Sequence, residues 1–205
     1  PYLRQCLDGF IMQKADFKFV AIVHDDASTD GSADIIREYA EKYPNIIRPI
    51  IEKENQYSKH DGSLDRIMSG ACTGKYIAFC EGDDYWIDPF KLQKEVDYME
   101  GHKDCSIVYT KNVCKIEREN SFIDGHISRT NFIDLLEGFN TIPTASTMVR
   151  YDAYQKYLKA IKPFDKGWII GDYPKNLYLT RVSEIGFIDD ITCVYRVLPN
   201  SASHA

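Results

Sequence analysis

Several features that would restrict the class of this 205-residue chain are absent from its sequence. None of its six cysteines stands in a CxxC pair, which argues against a zinc site or a dithiol redox motif. No apolar run approaches the ~20 residues that a membrane helix needs. With 25 Lys and Arg against 31 Asp and Glu, the chain also lacks the basic surplus typical of nucleic-acid-binding domains. We therefore expect no nucleic-acid partner, and we expect reduced, mostly buried thiols in a cytoplasmic protein.

Apolar, β-rich runs alternate with helix-like segments over the first 110 residues. Helices are predicted over 2–13, about 32–43, about 64–74 and about 88–100, the first three from apolar residues at helical spacing. Strands are predicted at FKFVAIVHDD, IIRPII, KYIAFC and CSIVYT. This alternation predicts an α/β fold with a mainly parallel, Rossmann-like sheet flanked by helices.

The second half of the chain is less regular. The stretch 117–129 is charged, and no element is predicted there. A strand is predicted over 146–150, helices over 151–160 and about 173–182, and one or two final strands in FIDDITCVYRV. The chain opens with PYLRQCLDGF and without an initiator Met, so we interpret it as a fragment of a longer protein.

Two predicted strands end in paired acids. VAIVHDD delivers Asp25 and Asp26, and YIAFCEGDD delivers Asp83 and Asp84. Ligands of open parallel sheets bind outside the carboxyl ends of the strands, where two acidic clusters would repel one another unless a cation lay between them. A divalent cation that bridges carboxylates to a diphosphate would meet that need. The alternative is a purely structural role, in which such acids only cap the following helix, as Asp30 could do.

Both acidic segments resemble signatures of family 2 glycosyltransferases. VHDDASTDGSADII is similar to the family's "VDDGSTDGS", and KYIAFCEGDDYWIDPFKLQKEVDYM is similar to its "GxYIxFLDxDDxxxPxKLExQ" segment, which carries the DXD-type metal motif. The resemblance covers about residues 2–110 closely and GDYPKNLYLTRVSEIGFIDDITCVYRV more loosely. It implies a single domain of GT-A fold over 1–205, with a nucleotide-sugar-binding half up to about 110 and an acceptor-binding half after it.

The resemblance also implies roles for residues of the nucleotide-sugar half. Asp26 would hold the nucleotide base, and Asp25 and Ser28 would line the same pocket. Asp83 would contact the ribose or the metal. Asp84 would be the principal ligand of Mg²⁺ or Mn²⁺, the expected cofactor.

In the acceptor half, the resemblance implies that Asp172 is the catalytic base. The same residue could simply cap a helix that begins before Pro174, and the two roles are compatible because a helix N-terminus favours an ionised carboxylate. Arg196 and His204 could close over the diphosphate, since Arg makes two-pronged phosphate contacts. A solvated tail is the bland alternative for both.

The sequence departs from the family pattern in several places. Glu81 stands where the family has the first Asp of its metal motif. SLDRIMSGA replaces the usual "ARNxG", and Gly171-Asp172 replaces the usual "ED". The resemblance also starts after the family's usual first strand, "VSIIVPTYN", so the expected sheet lacks a central member.

Together these features predict an inverting, metal-dependent glycosyltransferase of surface polysaccharide or glycan assembly. The expected donor is a UDP-sugar and the expected acceptor is a saccharide or a lipid-linked hydroxyl. The expected location is the cytoplasm or the inner face of the membrane, and peripheral membrane attachment and a homodimer are both compatible with the sequence. The alternatives are a non-catalytic nucleotide-sugar-binding domain and a sugar-phosphate nucleotidyltransferase.

Overall fold

The computed structural model describes residues 2–125, 130–138, 142–166, 168 and 171–199. The α-helices in these ranges are α1 Leu3–Ile11, α2 Ser32–Lys42, α3 Ser63–Ala71, α4 Lys91–Gly101, α5 Phe132–Glu137, α6 Tyr151–Ile161 and α7 Asp172–Val182. The strands are β1 Ala21–Asp25, β2 Ile47–Ile51, β3 Tyr76–Ala78, β4 Tyr85–Trp86, β5 Cys105–Ile116, β6 Ser121–Asp124, β7 Thr147–Arg150 and β8 Glu184–Val197.

Two helices begin with the same Asp-Gly-Ser tripeptide. At the start of α2, Asp30 accepts hydrogen bonds from the backbone and side chain of Ser32 at 3.1 and 2.7 Å. The equivalent Asp61 accepts the backbone N–H of Ser63 at 2.9 Å before α3. The glycine between them has a positive φ in both cases, 85° at residue 31 and 77° at residue 62. A local tripeptide therefore sets both helix starts through one side-chain carboxylate and one left-handed glycine.

The strands form two sheets and not the single parallel sheet that the sequence predicted. β1 and β2 pair in parallel as a two-stranded sheet. The larger sheet has the order β3-β7-β5-β8-β4, with β6 added to β5. Only β5 and β8 are parallel in it; β3–β7, β5–β7, β4–β8 and β5–β6 are antiparallel. The prediction of an α/β fold holds, but the main sheet is mixed and curled.

The physical reason lies after residue 104. β5 turns back into β6 as a hairpin, and the short β7 then inserts between β3 and β5 in the opposite direction. Three register shifts along the β5–β8 ladder mark bulges, which bend strands and increase their twist. Counting helices between strands does not reveal such an insertion, because the direction of a short strand is set by long-range pairing.

Helix α1 packs against both sheets. Leu7 belongs to the core between α2 and the small sheet, whereas Phe10 also packs on the core of the large sheet. The Phe10 and Trp86 rings meet edge-to-face with 4.8 Å between centroids. Gly9 allows this approach, since a Cβ there would lie 3.0 Å from the backbone N and O of Trp86. α1 therefore joins the two layers next to β4.

Most predicted elements are present within the described residues. The helices over 2–13, 32–43, 64–74, 88–100, 151–160 and 173–182, and the strands of the first half, are confirmed with shifted ends. The stretch 117–129 contains β6, which was not predicted, and 126–129 lies outside the described residues. Sequence reasoning also missed β4 and α5.

All six cysteines are free thiols, as expected, and three of them are buried. None of the helices in the described part of the chain combines the length and apolar character needed to cross a membrane.

Candidate active site

The segment Glu81–Asp84 between β3 and β4, hereafter the acid loop, turns sharply above the large sheet. The Asp84 N–H donates to the Glu81 carbonyl at 3.1 Å, which closes the turn. Oδ1 of Asp84 accepts the backbone N–H of Arg196 at 2.7 Å. Asp84 is only 2% exposed. The last acid of the loop is thus fixed by a strand from the far end of the chain.

Burial and neighbouring acids make Asp84 costly to ionise. Desolvation is the main cause that raises its pKa to about 8, and the charges of Glu81 and Asp83 add to it. The hydrogen bond from Arg196 opposes that rise. A group held in this state gains from a cation, because a positive charge offsets both the desolvation and the repulsion.

The side chain of Arg196 is buried directly behind Asp84. It is 3% exposed, and its guanidinium lies 4.6 Å from the ring centroids of both Tyr2 and Tyr85. Its terminal nitrogens donate to Glu117 and Gln5. The sequence predicted a guanidinium that closes over a diphosphate. In the structure this group instead ties α1, β4 and β5 together, and the predicted phosphate contact stays a prediction.

The loop after β1 is organised by its two acids. Asp25 is buried, and its carboxylate accepts the Ser28 N–H at 3.2 Å. Asp26 accepts the backbone N–H groups of Gln56 and Tyr57 at 2.6 and 2.9 Å, one on each carboxylate oxygen. The Asp26 carboxylate therefore holds the segment 52–57 against the end of β1.

Helix α7 brings Asp172 to the acid loop. Asp172 is in the first turn of α7, as predicted, and its charge raises the pKa of Glu81. Desolvation of the Glu81 carboxyl by the surrounding protein is the larger cause of that rise in pKa, although the residue as a whole is exposed to solvent. Thr144 donates a hydrogen bond to Glu81. Lys175, one helical turn after Asp172, is the nearby cation.

The structure thus gathers one predicted group of residues, namely Asp83, Asp84 and Asp172 with Glu81 between them. The loop that carries Asp25, Asp26 and Ser28 follows β1, which pairs with β2 and not with β3. The predicted His204 lies outside the described residues.

Sequence reasoning missed three contributors to the site, namely Lys175, Thr144 and Glu117. A DxxK spacing places Asp172 and Lys175 on one helix face, and that signal was available in the sequence. Thr144 and Glu117 act through long-range contacts that local patterns do not reveal.

No group of three or more His, Cys, Asp or Glu side chains is preassembled for a metal ion in the described ranges. The acid loop still suits a cation that takes its remaining ligands from a substrate. Mg²⁺ in particular is commonly held by one or two carboxylates together with substrate phosphates and water.

Residues 1–158 match the protein family described as Glycosyl transferase family 2, and the chain belongs to this family. This agrees with the resemblance carried by the two acidic segments.

Two relatives illustrate the family match. The chain is 44% identical over 201 residues to the uncharacterized protein Rv1520 of Mycobacterium tuberculosis, covering 95% of the chain and 55% of that protein. It is 34% identical over 86 residues to the poly(ribitol-phosphate) beta-glucosyltransferase of Bacillus spizizenii, covering 40% of the chain and 13% of that enzyme. The chain thus spans about half the length of Rv1520 and less of the second enzyme.

The fold is similar to that of S. aureus TarS. Residues 1–349 of TarS in complex with UDP-GlcNAc superpose with a TM-score of 0.72 at 15% identity, covering 100% of this chain and 57% of the TarS chain. The same part of TarS is also known in complex with UDP. At this identity the comparison establishes the shared α/β architecture.

Proposed function

We propose that this chain transfers a sugar, with inversion, from a UDP-sugar to a hydroxyl of a saccharide or lipid-linked acceptor in cell-surface polysaccharide assembly. The observation that carries the proposal is the meeting of the acid loop with the first turn of α7. Asp84, Asp83 and Glu81 supply one cluster of carboxyl groups, and Asp172, in the first turn of α7, acts electrostatically on Glu81.

Two comparisons support the choice of substrate class. TarS has been solved with UDP and with UDP-GlcNAc, which favours a UDP-sugar as donor. The poly(ribitol-phosphate) beta-glucosyltransferase, by its name, transfers glucose to poly(ribitol phosphate), which favours a polyol or saccharide acceptor.

In the proposed reaction Asp172 accepts the proton of the acceptor hydroxyl as that oxygen attacks the anomeric carbon. Asp172 lies in the first turn of α7, so the helix fixes the position of this base. A single base facing the attacking hydroxyl implies one displacement, so the anomeric configuration inverts. Asp83 and Asp84 would hold Mg²⁺ or Mn²⁺, which would stabilise the charge on the departing diphosphate.

The first test is ligand-dependent thermal stability. UDP or GDP with Mn²⁺ is expected to raise the Tm of the chain, and Asp84→Ala is expected to abolish the rise. Asp152→Asn, an exposed carboxylate at the start of α6, is the matched control and should respond like the wild type. If no nucleotide stabilises the wild type with either metal, the proposed function is wrong.

The second test separates a transferase from a binding domain. Release of UDP from UDP-GlcNAc should depend on an added acceptor, and NMR of the product should show the inverted anomer. Asp172→Asn should retain nucleotide binding and lose turnover by about 100-fold or more, the size of a general-base contribution. Normal turnover in that variant would refute the base assignment, and binding without any turnover in the wild type would favour the non-catalytic alternative.

A further inference from the structure

Lys175 is a buried cation without a partner in the described part of the chain. It is 4% exposed, and its ammonium lies 4.1 Å from the centroid of the Phe79 ring. No described residue forms a hydrogen bond or an ion pair with this ammonium. Lys91, the other lysine buried to this degree, differs in that its ammonium is ion-paired with Glu95.

The Lys175 side chain is buried, but its ammonium is not among the fully shielded nitrogens without a partner, so it keeps access to solvent that a ligand can replace. The Phe79 ring face covers one side of this ammonium. Burial also lowers the pKa of Lys175, whereas the charges of Asp172 and Glu81 raise it. An unpaired charge of this kind next to a proposed catalytic base is typical of a functional group. We infer that the missing acceptor belongs to a ligand.

The groups around Lys175 restrict the chemistry of that ligand. The carboxyl groups of Asp172 and Glu81 both act electrostatically on the Lys175 ammonium. A neutral hydroxyl suits a position between an ammonium and a carboxyl group, because one hydroxyl can accept a hydrogen bond from the first and donate one to the second.

We propose that Lys175 donates a hydrogen bond to a neutral hydroxyl of a sugar or polyol bound beside Asp172, and so selects a polyhydroxylated ligand. The proposal rests on the proposed function, since it assigns a further binding residue to that same site. The hydroxyl belongs either to the sugar of the donor or to the acceptor, and the experiment distinguishes these sources.

Isothermal titration calorimetry with Mn²⁺ would compare the wild type, Lys175→Met and the control Lys156→Met, whose side chain on α6 is 74% exposed. The probes are UDP, UDP-GlcNAc, ribitol added to the UDP-saturated chain, and inorganic phosphate. Lys175→Met should bind UDP like the wild type and should weaken UDP-GlcNAc or ribitol by about tenfold or more, as expected for one charged hydrogen bond. Weaker UDP-GlcNAc assigns the hydroxyl to the donor sugar, and weaker ribitol assigns it to the acceptor.

Thermal unfolding supplies the readout that a structural role would change strongly. Lys175→Met should change the Tm little, because the fold loses no hydrogen bond or ion pair of this ammonium to a described residue. Lys91→Met should lower the Tm, because it leaves Glu95 buried alone.

Three results for Lys175→Met would overturn this inference and leave the proposed function standing. They are unchanged affinity for both UDP-GlcNAc and ribitol, an equal loss of affinity for inorganic phosphate, and a Tm lowered as far as in Lys91→Met. A wild type that binds neither UDP-GlcNAc nor ribitol would overturn both this inference and the proposed function.

Discussion

The backbone N–H of Arg196 donates a 2.7 Å hydrogen bond to Oδ1 of Asp84, across 112 positions of sequence. This contact joins the penultimate residue of β8 to the last residue of the acid loop. It is formed by a main-chain group, so substitutions of the Arg196 side chain leave its donor in place. The two ends of the contact can therefore be tested separately.

Asp84→Asn tests the acid end of that contact. An amide oxygen can still accept the Arg196 N–H. Asparagine also removes a carboxyl group whose pKa of about 8 makes the folded chain hold a proton at pH 7 that the unfolded chain does not hold. We expect the ligand-free chain to become more stable by roughly 1–3 kcal/mol at pH 7, and the Mn²⁺-dependent response to UDP to disappear. Differential scanning calorimetry with and without Mn²⁺ and UDP measures both effects. A ligand-free chain that is destabilised by the substitution would show that the Asp84 charge serves the fold.

Arg196→Met tests the buried guanidinium. Glu117 would keep its ion pair with Lys115 but lose the one with Arg196, and Gln5 would lose a donor. Tyr2 and Tyr85 would lose the cation that contacts both rings. Because Glu117 keeps some contact with solvent, we expect a loss of about 2–3 kcal/mol in unfolding free energy, at the lower end for broken buried pairs. Urea unfolding measures this change.

The same Arg196 variant decides between the two roles of the side chain. If the guanidinium serves the fold alone, the folded fraction of Arg196→Met should bind UDP with wild-type affinity. A large loss of affinity at full folding would instead support the phosphate contact predicted from the sequence. Arg181→Met, in the last turn of α7, is the matched control.

Asp26→Ala is expected to release the segment 52–57. Its carboxylate accepts two backbone N–H groups, and no other side chain replaces both acceptors. Trypsin should therefore cleave after the exposed Lys53 and Lys59 several-fold faster than in the wild type. Asp30→Ala, which removes only a local cap, should leave cleavage at these two sites unchanged. Equal cleavage rates in the wild type and Asp26→Ala would contradict this role.

Glu95 should make stability depend on pH. Burial raises its pKa from 4.5 to about 7, against the opposing charge of Lys91. Between these values the folded state retains a proton that the unfolded state has lost, so unfolding free energy should fall as pH rises from about 4.5 to 7 and then level off. The fall is on the order of 1–3 kcal/mol.

Glu95→Gln should remove this component of the pH dependence, since glutamine does not titrate and its oxygen can still accept from Lys91. Urea unfolding at pH 5, 6, 7 and 8 measures the difference in slope between the wild type and the variant. Glu137→Gln, an exposed carboxylate on α5, is the control that should follow the wild type. Parallel slopes for the wild type and Glu95→Gln would rule out Glu95 as the source.

The parts of this molecule that local patterns determine could be predicted from the sequence. An apolar run followed by acids identified the ends of β1 and β3, and Gly171-Asp172 before Pro174 identified the start of α7. The direction of β7 and the burial of Arg196 could not be predicted, because both depend on pairing between distant segments. Lys175 was missed for a different reason: a lysine one turn into a helix is usually solvated, and only packing against Phe79 reveals its burial.

Strand β8 has a further consequence for the acid loop. It is paired on both sides, with Trp86 opposite Cys193 on one edge and Lys115 opposite Arg196 on the other. A slip of one residue in either ladder would turn the Arg196 side chain to the opposite face and carry its N–H away from Asp84. The pairing of β8 therefore sets the position of the N–H group that Asp84 accepts. An insertion anywhere between 186 and 195 would disturb this hydrogen bond even though it leaves the sequence of the acid loop unchanged.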